Sequence, residues 1–329
     1  MSTQLSQPLW QHILADGVTD FAELCHLLEL NPLHFANQQA IADFALRIPR
    51  GFIARMQKGN PNDPLLKQVL PLAQEMVITP GYTEDPVQEK QANPVPGLLH
   101  KYHGRVLLLI AKSCAVNCRY CFRRHFPYAE NIPGKAGWEI ALNYIAKNPQ
   151  ISEVIYSGGD PLLAKDNLLD EITQKIAAIP HVTTLRIHTR LPIVIPERIT
   201  DELLYWLTNT RLQPVVVIHC NHASEIDEQV TQAIARLRQK GVTVLNQTVL
   251  LRDVNDNSVA LIALSQRLFS AGILPYYLHI LDPVKGTAHF AVAPEEAKEL
   301  LVEVTRKLPG YLVPKLVQEK AGMMAKCAV

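Results

Sequence analysis

Between residues 105 and 308, short apolar and β-branched runs alternate with longer segments of helical character. The spacing is about 30 residues, the length of one βα unit. The runs lie at 105–110, 154–157, 184–188, 215–219, 242–250 and 276–280. Segments 135–148, 168–179, 200–209, 227–240, 258–271 and 294–308 read as helices, with Gly241 and Gly272 where C-terminal caps belong. Runs this apolar suit strands buried on both faces of a parallel sheet. Six units fall short of the eight of a closed barrel. The pattern predicts an α/β fold, an open partial (β/α)6 barrel; a doubly wound sheet is the alternative.

Polar residues gather at one end of the runs. They include Ser113 and Cys114, Ser157 to Asp160, His188 to Arg190, His219 to His222, and His279 with Asp282, while Gln247 falls within its run. In parallel barrels the C-terminal strand ends share one face, and active sites are built there. Residues far apart in the chain are therefore expected to converge on one mouth.

The chain before the first run has a different character. Phe21, Leu24, Cys25 and Leu28 share one helical face, and Asp20 with Glu23 forms a start signal. Cys25 on that face reads as a small core residue. Seven prolines between Pro61 and Pro96 then punctuate a loop-rich stretch. The expected organisation is a mainly helical extension and wrap over 1–100, a barrel core over 101–293, and a C-terminal helix with a closing segment over 294–329.

Composition narrows the class. Hydrophobic residues make up 48% of 329, enough for a large core. A formal net charge of +1 argues against a non-specific nucleic-acid binder or a polybasic membrane binder. No apolar run approaches the ~18 residues needed to span a bilayer. The opening MSTQLSQPLW lacks the pattern of a secretory signal, so a cytoplasmic, reducing setting is expected. Six cysteines in a chain this long do not form a disulfide framework.

Three of those cysteines, Cys114, Cys118 and Cys121, fall in the loop after the first run with spacing C-x3-C-x2-C. Thiolates this close can face one centre and suit zinc or iron–sulfur. An electron-transfer cubane takes four cysteines, so three leave one iron without a protein ligand. Two other readings stay open: structural zinc with His125 as fourth ligand, and a four-cysteine cluster completed by Cys220.

CAVNCRYC resembles the CxxxCxxC signature of radical S-adenosylmethionine (SAM) enzymes. The segments CRYCFRRHF, SGGDPLL, LRIHTRLPIVIPERIT, HCNHASEID, LNQTVLLRDVND, DPVKGTAHF and GYLVPKLVQE are similar, in order and spacing, to the lysine 2,3-aminomutase family of that superfamily. The resemblance covers roughly residues 95 to 329. CRYCFRRHFPYAEN and the short chain look closest to the members that supply β-lysine for modifying translation elongation factor P.

The resemblance implies a [4Fe–4S] cluster on Cys114, Cys118 and Cys121, with SAM on the fourth iron. It places Gly158, Gly159 and Asp160 beside the SAM amino group. It implies pyridoxal phosphate (PLP) on Lys326, near Arg105, His219 and Gln247; the last two otherwise read as buried hydrogen-bonding residues. The stretch Ala321-Gly322-Met323-Met324-Ala325 departs from the glycine run usual before that lysine. Arg123 matches the arginine that grips the substrate carboxylate, a task suited to a bidentate fork; otherwise it is surface charge or a partner of Asp160. Asp282 and Glu319 match two acceptors of the substrate ε-ammonium, Glu319 standing where aspartate is usual. Related enzymes bind zinc through a cysteine after LRxVND and a cysteine-rich extension; Asn257 and the end at Val329 predict none of that kind.

The implied function is an isomerase converting L-α-lysine to β-lysine by 1,2-amino migration. It would act on the free amino acid, draw on an external electron donor, and pass product to a ligase for elongation factor P. Two rivals are a radical SAM enzyme without PLP and a non-enzymatic iron–sulfur or zinc module.

Overall fold

The computed structural model describes residues 7–34, 38–131, 134–323 and 325–329. Its frame is a sheet of nine strands in chain order: β1 (Leu98–Tyr102), β2 (Arg105–Ala111), β3 (Glu153–Gly158), β4 (Thr184–Thr189), β5 (Gln213–His219), β6 (Thr243–Val249), β7 (Leu274–His279), β8 (Lys315–Gln318) and β9 (Cys327–Ala328). Neighbours from β2 to β8 are parallel; β1 on β2 and β9 on β8 are antiparallel. Among the described residues the two ends do not pair, so the barrel is open.

Helices Lys135–Ala146, Asp166–Ala177, Asp201–Thr208, Glu228–Gln239, Ser258–Ser270 and Pro294–Lys307 cross between successive parallel strands. All six runs and all six helical segments appear within a few residues of their expected bounds. Three of the six starts are capped by short polar side chains, Thr200, Asp227 and Asn257, that take up an otherwise unpaired N–H. Asp227 accepts from Val230 N at 2.9 Å, and Asn257 accepts from Ala260 N at 2.9 Å. Gly241 and Gly272 follow two helix ends with φ of +78° and +84°.

Alternate strand residues divide the sheet into two faces. Val154, Tyr156, Leu185, Ile187, Val216 and Ile218 face the helices and belong to the main core. The other set points into the barrel and is largely polar: Glu153, Ser157, Arg186, His188, His219, Gln247 and His279. The expectation of strands apolar on both faces therefore holds for only one of them. The sequence hid this because β-branched residues alternate with these polar ones.

The N-terminal part is built from short helices, among them Leu9–Ala15, Phe21–Leu27, Arg50–Ile53 and Pro64–Lys67. Asp20 caps the second of these through Glu23 N at 2.8 Å, and Cys25 is buried. Trp10, Leu24, Phe52, Leu65 and Leu66 join the same core cluster as the barrel strands. Each such side chain stabilises by roughly 1.5–3 kcal/mol, so this part is anchored by packing. A second cluster joins Leu278, Ile280, Val304, Leu308, Leu312 and Leu316. It seats the last helix and β8 against β7, and so fixes where the chain arrives at Lys326. Among the described residues no helix is long and apolar enough to cross a membrane.

Candidate active site

The inward strand face encloses a cavity of about 440 Å³, within the range of small-molecule sites. It runs down the barrel from Arg105, Glu153 and Arg186 to the cysteine loop beyond β2. The site is thus a lumen, deeper than a mouth at the strand ends. Cys114, Cys118, Cys121, Arg123, Gly158, Gly159, Asp160, His219, Gln247, Asp282, Glu319, Arg105 and Lys326 all line it. Met324 lies outside the described residues.

The cysteine loop is short and clamped from below. Asn117 N donates to Arg47 O at 3.0 Å, Arg119 N donates to Gln68 O at 2.8 Å, and Cys121 N donates to Cys118 O at 3.0 Å. The buried Arg119 guanidinium grips Glu75, with Nε at 2.8 Å from Oε1. These contacts tie the loop to the N-terminal segments. Burial pushes the Cys114 thiol well above its ordinary range and the Cys121 thiol up to about 11. Such thiols give up their protons to a metal, not to water.

The glycine pair fixes the other side of the loop. Gly159 N donates to Ala111 O at 2.8 Å and Asp160 N donates to Ser113 O at 2.9 Å. A Cβ on Gly159 would lie 2.3 Å from Ser113 O, and one on Gly158, with φ +119°, 2.6 Å from Ala111 O. Only glycine allows this approach. The Asp160 carboxylate is spent inside the protein: it accepts from Thr189 Oγ1 at 2.7 and 2.9 Å, Arg190 N at 2.8 Å, Leu191 N at 3.1 Å and Leu162 N at 3.1 Å. What this segment offers a ligand is therefore backbone.

Arg123 does not meet Asp160. Its Nε and Nη2 donate to the two oxygens of Glu89 at 2.7 Å each, and Nη1 donates to Ser157 Oγ at 2.8 Å. Glu89 in turn sits 3.4 Å from Lys101 Nζ, and Lys101 Nζ sits 2.9 Å from Glu319 Oε1. Glu319 Oε2 is 3.1 Å from Lys326 Nζ. Five charges of alternating sign thus cross the cavity from Arg123 to Lys326. Burial alone would raise the Glu319 pKa, but Lys326 and then Lys101 outweigh it and hold it down at about 2. Asp282 goes the other way, pushed up to about 7 by burial and then by the charge of Glu319. Glu89 and Lys101 carry no local motif; only the fold brings them to the site.

Between these charges lies a neutral, aromatic wall. His219 Nε2 is 2.7 Å from Gln247 Nε2, and its ring is 6.0 Å from that of His188. Burial lowers the His219 pKa to about 3 and those of His188 and His279 well below the usual range, so the three rings stay uncharged. Nε2 of both His188 and His279 is buried with no partner among the described residues. Lys326 Nζ stands 5.8 Å from the Tyr277 ring centroid, and the Arg105 guanidinium lies 4.7 Å from that of Tyr102.

The donor set can be matched to the expected groups. Three thiols share one cavity wall, and no three His, Cys, Asp or Glu side chains among the described residues are arranged for a single metal ion. His125 Nε2 is 3.2 Å from Lys285 O, and the buried Cys220 points its thiol at His222 O, 3.4 Å away. Neither lines the cavity. Three thiols without a fourth protein donor suit a cluster with one open corner. Unpaired imidazole nitrogens, arginine, aromatic rings and a lysine amine suit an anionic aromatic aldehyde. The residues fit both groups.

Comparison with known proteins gives the family. The family model described as Radical SAM superfamily matches residues 108–264. An L-lysine 2,3-aminomutase of Escherichia coli (strain K12) is 55% identical over 319 residues, 96% of this chain and 93% of that protein. The enzyme of the same name from Haemophilus influenzae is 50% identical, covering 95% of this chain and 93% of its own length. One from Clostridium subterminale is 36% identical, covering 88% of this chain and 70% of its own. The chain belongs to the lysine 2,3-aminomutase family of the radical SAM superfamily.

Proposed function

We propose that this protein converts L-lysine to β-lysine by 1,2-amino migration, using a [4Fe–4S] cluster, SAM and PLP. The reading is supported above all by one observation: Cys114, Cys118 and Cys121 line the same cavity as Lys326, Arg123 and Asp282. The chemistry supplied by the bound groups is one-electron cleavage of a sulfonium and a π-system that carries the migrating nitrogen.

The chain's own residues supply position and charge. Cys114, Cys118 and Cys121 hold the cluster, and the backbone of Gly158 and Gly159, next to Asp160, faces SAM. Lys326 carries PLP, with Arg105, His219 and Gln247 along the ring and phosphate. Asp282 and Glu319 take the lysine ε-ammonium, whose burial two carboxylates offset. Arg123 takes the substrate carboxylate, which must compete with Glu89 for the same fork. The deep cavity keeps water from reactive species.

We further read the chain as a helical extension over 1–100, a barrel core over 101–293 and a closing segment over 294–329. It works in the cytoplasm with an external electron donor, and its β-lysine goes to a ligase that modifies elongation factor P.

The test is anaerobic reconstitution with iron, sulfide, SAM, PLP, a reductant and isotopically labelled lysine, followed by product analysis. Labelled β-lysine is the expected result. SAM cleavage with other amino acids but never with lysine would overturn the reading.

A further inference from the structure

One side chain to which no role has been given so far reaches a sulfur of the cysteine triplet. Arg190 follows β4, is 5% exposed, and extends beneath the cysteine loop. Its Nη1 donates to Cys118 Sγ at 2.7 Å and to Tyr120 Oη at 2.8 Å. Its Nη2 donates to Gln68 Oε1 at 2.7 Å and to Glu225 Oε2 at 2.9 Å. The guanidinium also lies 5.3 Å from the Phe52 ring centroid and 5.8 Å from that of Tyr120.

The far side of this contact is just as well fixed. Glu225 is fully buried, and its Oε1 accepts from Gln68 Nε2 at 3.0 Å, Asn221 N at 2.9 Å and His222 N at 3.0 Å. Asn221 Nδ2 donates to Tyr120 Oη at 2.7 Å. A buried ion pair is thus aimed, positive end first, at one sulfur of three.

We propose that Arg190 is a positioning residue for the iron–sulfur centre, which holds the Cys118 thiolate by an N–H···S bond and raises the centre's reduction potential, while Glu225 moderates that effect. Hydrogen bonds to ligand sulfurs and net local charge set such potentials. A donor drawing density from the thiolate favours the reduced centre, which carries one more negative charge. In surroundings of low effective dielectric a fixed charge at this distance acts strongly. The inference rests on the proposed cluster at Cys114, Cys118 and Cys121.

The experiment is a redox titration, followed by electron paramagnetic resonance, of the full-length protein reconstituted with iron and sulfide, with iron counted in each variant. Arg190→Gln is expected to shift the midpoint potential negative. Arg190→Lys, which keeps the charge, is expected to shift it less. Glu225→Gln leaves Arg190 less neutralised, and the shift is expected to be positive. Opposite signs from two members of one ion pair are not what loosened packing produces. Unchanged potentials, or shifts of the same sign, would overturn the proposal. If Arg190→Gln yields no soluble protein, Glu225→Gln decides: a positive shift supports the proposal, and no shift or a negative one overturns it. A wild-type protein that takes up no cluster would sink the cluster reading itself, whereas a normal cluster with unmoved potentials sinks only the role of Arg190.

Discussion

Nζ of Lys326 lies 3.1 Å from Oε2 of Glu319, and the other oxygen of that carboxylate lies 2.9 Å from Nζ of Lys101. One half-buried carboxylate thus holds the amine proposed to carry PLP against the edge strand β1, at the opposite end of the sheet in chain order. β9 pairs with β8 through Gln318 and Cys327, which places Glu319 and Lys326 where this two-strand ladder enters its connecting turn. Lys326→Ala is expected to abolish the visible absorbance of bound PLP after gel filtration, leaving iron content unchanged. A band that persists with full activity would reject Lys326 as the attachment point.

Gly159 supports the cysteine loop by leaving room for it. A methyl group there would meet the Ser113 carbonyl oxygen at 2.3 Å, and backbone cannot swing aside as a side chain can. Overpacking of this kind costs on the order of 1–3 kcal/mol or more. Gly159→Ala is expected to lower the melting temperature and to cut the iron retained after reconstitution. Full iron content in a stable variant would mean that the loop tolerates displacement.

The uneven legibility of this chain has physical causes. The cysteine triplet was readable because its members are close in sequence, and the six strand runs because β-branched stretches recur at βα spacing. β8 was missed because KLVQ is four residues with only two buried side chains, and β9 because it is two residues long. β1 lay in what read as a proline-rich wrap. Arg123 was identifiable from CRYCFRR, but its partner Glu89 was not: they stand 34 positions apart, and Lys101 and Glu319 218 apart. Charge pairing over such separations is created by the fold. The bonds that hold the Asp160 carboxylate were hidden for a similar reason, since the backbone of Arg190 and Leu191 that occupies it follows β4.

Glu89 holds the fork on Arg123 that is proposed to take the substrate carboxylate. Removing its charge leaves a buried arginine without its counter-ion, which destabilises by about 3–5 kcal/mol where no ligand compensates. Glu89→Gln is therefore expected to melt earlier than the wild type without ligand. Added lysine should then raise its melting temperature more than it raises that of the wild type. Equal shifts in the two proteins would show that Arg123 does not receive the carboxylate.

Asp282 gives the site a pH dependence with a defined sign. Its pKa stands at about 7, raised first by burial and then by Glu319, so the ligand-free carboxyl is protonated below that pH and ionised above it. Only the ionised form attracts an ammonium by charge. Lysine binding is expected to weaken as pH falls through about 7, approaching tenfold per pH unit well below it. Glu319, held at about 2, stays ionised over the same interval and contributes no slope. Asp282→Asn should bind lysine more weakly at pH 8, by roughly tenfold or more since a buried ammonium loses a charged acceptor, and should show a flat profile between pH 6 and 8. Isothermal titration of the PLP-loaded protein with lysine in buffers of different ionisation enthalpy reads both quantities, because the wild type must release a proton on binding near pH 6. No proton release, or an unchanged slope in the variant, would remove Asp282 from the ammonium site.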